Sequence, residues 1–111
     1  MEEQQKNTNP GVVAEERIYK LARPFHFEGK QITELSLNLD DLTGQDLLLC
    51  ARHAQTIDPN EVAHVKALSL PYQVAVAAKA AGVPAEQIKA LGAKDFTQVT
   101  QRVQNFLIGQ G

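Results

Sequence analysis

Residues 18–39 alternate between apolar and polar positions. Tyr19, Leu21, Phe25 and Phe27 share one parity, with Arg23 the exception; Leu35, Leu37 and Leu39 share another, between Ser36 and Asn38. A period of two predicts two strands, each with one buried face. Glu28-Gly29-Lys30-Gln31 supplies the turn between them, with Gly29 free to take a positive φ. Pro24 lacks a backbone donor, so the first strand is expected at an edge or broken there. Ile32 has the wrong parity for the leucine face and predicts a bulge or an irregular start to the second strand. Two strands alone are marginal in water, so their apolar face must pack on helices.

From residue 43 onward the period becomes helical. Thr43 is a candidate N-cap, and Asp46 three residues later makes a variant capping box. Leu47, Leu48, Cys50, Ala51 and Ala54 then form one broad apolar face. Leu49 falls outside it, among Arg52, His53 and Thr56. It is either a singly exposed leucine or a contact with another chain. Asp58-Pro59-Asn60-Glu61 is a second start signal, and Val62, Val65 and Leu68 recur every third residue, predicting a short helix or turn.

Residues 71–82 behave differently. Tyr72, Val74, Ala75, Val76, Ala77, Ala78, Ala80 and Ala81 surround the axis almost completely, which predicts a helix buried on all sides. Ser69 can cap it, Pro71 suits its first turn and Gly82 its stop. A short segment follows from Val83-Pro84-Ala85-Glu86, with Ile88 and Leu91 inward and Gly92 as its end. The last helix is expected from about residue 94 to 108. Phe96, Val99, Val103, Phe106 and Leu107 make its apolar stripe, while Gln98, Gln101, Arg102 and Asn105 face away. The expected fold is therefore α+β: an N-terminal β-hairpin packed on a small bundle of about four helices, in a single domain over residues 18–111. Gly109-Gln110-Gly111 is expected to fray.

Residues 1–17 carry no periodic apolar set and read as a flexible arm. Deleting residues 1–16 is expected to leave thermal stability nearly unchanged, measured by a melting curve of the truncated chain. With 111 residues the chain has room for one modest core, and 5% aromatic content makes that core aliphatic. A net charge of −2 does not favour nucleic acid or an anionic membrane surface. Cys50 is the single cysteine, which excludes an internal disulfide and fits a reducing cytoplasm. No apolar run is long enough to span a bilayer, and the first residues lack the apolar segment of a signal peptide.

Little in the chain is built for chemistry. His26, His53 and His64 sit in a strand, a helix and a turn, none with a metal-ligand neighbour one helical turn away, so no metal is expected. Cys50 lies on an apolar helix face and reads as a small core residue. There is no phosphate loop, nucleophile elbow or carboxylate pair, so neither enzymatic activity nor a cofactor is expected. Residues 75–91 have the outline of a helix-turn-helix, with Ala80-Ala81-Gly82-Val83-Pro84 as the turn. Its candidate reading helix, Ala85-Glu86-Gln87-Ile88-Lys89-Ala90, offers one cation and one acid, too little for phosphate neutralisation.

The order of these signals resembles the tail assembly chaperones of long-tailed bacteriophages. The resemblance spans about Ile18 to Leu107. It rests on Arg23-Pro24, Glu28-Gly29-Lys30 and Ile32-Thr33-Glu34-Leu35, then Leu42-Thr43-Gly44-Gln45-Asp46-Leu47. It continues in Tyr72 with Ala77-Ala78-Lys79-Ala80-Ala81-Gly82, in Leu91 with Asp95-Phe96, and in Asn105-Phe106-Leu107. It implies a non-enzymatic protein of the bacterial host cytoplasm that keeps the tape measure protein soluble, helps recruit tail tube proteins and is absent from the mature virion. A prophage DNA-binding regulator and a structural tail or neck subunit are the alternatives. A chaperone needs accessible apolar surface, and Leu49, His53, Phe106 and Leu107 are the candidate partner-binding residues. Self-association into a homo-oligomer could cover such a patch until a client competes for it.

Overall fold

The computed structural model describes residues 17–61 and 65–109. The expected arm up to residue 16, Val62 and His64, and Gln110-Gly111 lie outside the described residues.

The alternating stretch forms an antiparallel hairpin, β1 (Ile18–Phe27) and β2 (Lys30–Ser36). Glu28 and Gly29 turn the chain with φ of 53° and 82°. Two consecutive left-handed residues match the twist of the flanking strands, and glycine removes the steric penalty at one of them. The expected irregularity is present, but its extra residues lie in the first strand. Tyr19 pairs with Leu35 and Lys20 with Glu34; the next pair is Phe25 with Ile32. Residues 21–24 thus stand opposite Thr33 alone, and Pro24 sits inside this bulge. Phe25 and Ile32 end up paired and half-buried against the core. Leu21, Leu35 and Leu37 are buried.

A 3₁₀ turn at Leu39–Asp41 leads into α1 (Gly44–Ile57). The capping box is complete: the Asp46 N–H donates to Thr43 Oγ1 at 3.2 Å, and the Thr43 N–H donates to Asp46 Oδ2 at 2.9 Å. Cys50 and Ala54 are buried, and Leu47, Ala51 and Ile57 pack beside them. Leu48 departs from expectation: it is 67% exposed, although it was placed on the apolar face. It lies about 100° around the helix from Leu47, at one edge of the arc, and no described residue covers that flank.

The second start signal does not begin a helix among the described residues. The Asp58 carboxylate accepts the Asn60 N–H at 3.0 Å and closes a turn. A 3₁₀ turn at Lys66–Leu68 follows. Val65 and Leu68, whose spacing of three predicts a short helix or turn, are 53% and 58% exposed. A spacing of three puts residues inside only when a neighbour covers that face, and among the described residues none does.

The apolar-all-round stretch is α2 (Leu70–Ala81), with the Ser69 hydroxyl accepting the Tyr72 N–H at 3.3 Å. Gly82 takes φ +69° as its left-handed C-cap. Every residue from Pro71 to Ala78 is buried, as is Ala80. The helix packs on α1, on α3 (Ala85–Lys89), on α4 (Ala93–Leu107) and on β2, and just past that strand the Asn38 N–H reaches the Ala80 carbonyl. Its alanines let these neighbours approach closely. The result is the expected α+β arrangement, a hairpin followed by four helices packed together.

In the short segment after Gly82, Ile88 is fully buried and Leu91 is 7% exposed. Gln87, the side chain a DNA reader would present to bases, is also buried. The helix-turn-helix outline is therefore spent on packing.

A buried carboxylate joins the hairpin to the bundle. Asp95, in the first turn of α4, is 1% exposed. Its carboxylate accepts the Tyr19 hydroxyl at 2.7 Å, the Ala22 N–H at 2.8 Å and the Arg23 N–H at 3.0 Å. The bulge turns two consecutive N–H groups away from the ladder, and Asp95 receives both.

Candidate functional site

A groove of about 250 Å³ runs between α1 and α2, lined by Leu49, Cys50, His53, Ala75, Ala78, Lys79 and Val83. It follows from helix geometry. Asp46, Leu49, Cys50 and His53 recur at i, i+3, i+4 and i+7, so one side of α1 faces α2 with all four. The capping box fixes where α1 starts and therefore which residues turn that way. Opposite, α2 offers Ala75 and Ala78, whose short side chains leave the space open. Leu49 is 41% exposed at the rim, and His53 is exposed beside it.

The polar lining includes the Lys79 ammonium. Lys79 Nζ lies 3.7 Å from Asp46 Oδ1, a loose contact between partly exposed groups. Asp46 titrates below the usual carboxylate range, chiefly because it accepts the Thr43 N–H, with Lys79 adding to the effect. At the groove floor, burial pushes the Cys50 thiol up; Lys79 opposes this and Asp46 adds to it. A buried thiol with a raised pKa is a poor nucleophile. Among the described residues there is no cluster of three or more metal-ligating side chains. The groove is open to solvent and mostly apolar.

The structure brings Leu49 and His53 together and leaves Phe106 and Leu107 apart from them. Those two lie in the last turn of α4, half-buried, with Leu107 against the core. Close to that end is exposed apolar surface that periodicity missed: Leu70 is 53% exposed and Ile108 45%, in addition to Val65 and Leu68. The buried Gln73 amide ties the region together, donating to the Ala67 carbonyl and, at 3.2 Å, to Gln104 Oε1 one turn before Ile108.

A second groove, of about 530 Å³, is lined by Ile18, Tyr19, Lys20 and Arg102. The Arg102 guanidinium lies 5.1 Å from the centre of the Tyr19 ring, within cation–π range. Burial raises the Tyr19 pKa, the hydrogen bond to Asp95 raises it further, and Arg102 opposes both. Among the described residues no helix is long and apolar enough to cross a membrane.

Comparison with protein families gives this geometry a setting. The family model described as phage tail assembly chaperone proteins, E, or 41 or 14, matches residues 18–108. The chain belongs to the phage tail assembly chaperone family. The match begins at the first residue of β1 and ends one residue beyond α4, so it takes in the hairpin and all four helices. Searches of curated proteins and of solved structures found no match to this chain. Chaperones of this family are non-enzymatic, and membership implies tail proteins as partners.

Proposed function

We propose that this chaperone keeps the tape measure protein soluble during tail assembly, helps recruit tail tube proteins, acts in the bacterial host cytoplasm and is left out of the mature virion. The observation that carries this reading is the open apolar groove at Leu49 and His53 in a chain of the tail assembly chaperone family. A long helical client exposes apolar stripes before it assembles, and a groove between two helices receives such a stripe through anchors at i, i+3 and i+4. Phe106 and Leu107 complete the proposed partner-binding set at a helix end. Self-association through the same apolar surfaces would keep them covered until a client arrives.

Co-expression with the tape measure protein tests the reading, scored by how much of that client stays soluble. The sharper test is Leu49→Asp. Because Leu49 is at the rim, the variant is expected to fold with stability within about 0.5 kcal/mol of the parent. It should lose client solubilisation or self-association. A folded variant that still oligomerises and still protects the client would remove Leu49 from the site.

A further inference from the structure

The α1–α2 groove has a shape and a charge that specify more than a generic apolar client, granted the reading above that it holds one. We infer that it takes one bulky apolar side chain of a partner helix, with a carboxylate one helical turn from that anchor seated against Lys79.

The volume sets the first half. A closed apolar cavity of about 150 Å³ is enough to hold benzene. A groove of about 250 Å³ floored by Cys50, Ala75 and Ala78 therefore accommodates one large aliphatic or aromatic side chain. The partner's own backbone must arrive satisfied, because both walls are helices whose N–H and C=O groups are spent internally. A helix meets that condition; an extended strand has no edge here to pair with.

Charge sets the second half. Among the described residues, the lining's cation is Lys79, and the lining holds no carboxylate. Asp46, just beyond it, has its Oδ2 committed to the Thr43 N–H at 2.9 Å, while its Oδ1 stands 3.7 Å from Lys79. A partner carboxylate can take over Lys79 without disturbing the capping box. Anchor and carboxylate must lie three or four residues apart to face the same groove.

The test uses the full chain and fluorescein-labelled synthetic amphipathic helices carrying one leucine anchor, with Glu or Lys four residues on. Fluorescence anisotropy gives Kd for each, with a third peptide in which the anchor is alanine. The Glu peptide is expected to bind about fivefold tighter than the Lys peptide, the ratio for exchanging an exposed attraction for a repulsion. Lys79→Glu should invert the preference, and Lys79→Gln should abolish it, both with unchanged far-UV circular dichroism. The alanine-anchor peptide should bind weakly to all three proteins. Equal binding of the Glu and Lys peptides, or a preference unaltered in Lys79→Glu, overturns the inference. Client solubilisation in the same variants separates the two readings. An inverting peptide preference without tape measure protection would sink the chaperone reading alone. Protection that is lost in Leu49→Asp, with neither peptide bound, would sink this inference alone.

Discussion

Asp95→Ala is expected to destabilise the fold by about 3–5 kcal/mol, read from urea or thermal unfolding. The carboxylate accepts three hydrogen bonds, from the Tyr19 hydroxyl and the Ala22 and Arg23 N–H groups. Alanine strands all three donors. Each unsatisfied group costs about 1–3 kcal/mol when water cannot replace the partner. The lower part of the summed range applies because the three bonds are only part-buried, so water can replace some of the lost partner. Asp95 also stands in the first turn of α4, where the helix dipole favours an acid. Asp95→Asn keeps one acceptor oxygen and should fall between the parent and Asp95→Ala.

The same contact makes the fold acid-sensitive in a defined window. Burial alone would raise the Asp95 pKa. The Ala22 N–H, the Tyr19 hydroxyl, the Arg23 N–H and the nearby Lys94 together outweigh it and hold the group below the usual carboxylate range. A folded-state pKa below the unfolded one means that the stabilisation is complete above the unfolded value of about 4. It is lost as pH falls through the folded value. Parent and Asp95→Asn should therefore differ most near neutrality, and the gap should narrow below about pH 4. A gap that widens on acidification would contradict this assignment.

Ile88→Ala is the second large effect, expected at about 2–5 kcal/mol for a fully buried aliphatic side chain. Ile88 has no exposed surface, and α3 is only five residues long. A helix that short does not hold itself together, so its place on α2 depends on this side chain and Leu91. Set against a typical domain stability of about 5–15 kcal/mol, either loss is a large fraction of the whole. Lys89→Ala, one residue on and exposed, should change stability by less than about 0.5 kcal/mol. The contrast of neighbours checks that α3 is a packing element. Specific binding to duplex DNA at physiological salt would contradict it.

Much of the fold was legible in the chain because its signals are local. The capping box at Thr43 and Asp46 spans four residues, and the turn at Glu28-Gly29 spans two. The all-round apolarity of α2 is a property of one uninterrupted stretch. Each is decided by atoms a few bonds apart, so each survives without knowledge of the neighbours. The same holds for part of the candidate site: the i, i+4 spacing of Leu49 and His53 places both on one side of α1 wherever that helix goes.

What tertiary structure decided is which faces find a neighbour. Leu48 and Leu49 flank the same apolar arc, yet Leu48 faces solvent while Leu49 borders a groove, because α2 lies against one flank only. Ala75, Ala78, Lys79 and Val83 belong to that groove only through the same packing, and no period in the chain links them to Leu49. Val65 and Leu68 keep a spacing of three yet are exposed. Asp95 reads in sequence as an ordinary acid near a helix start; its role rests on Ala22 and Arg23, 73 and 72 residues away. The sequence by itself determined the hairpin, the caps and the central helix, since local sterics and short-range hydrogen bonds settle those. The bulge's polar anchor, the open groove and the exposed leucines were settled only when distant segments packed and some faces were left uncovered.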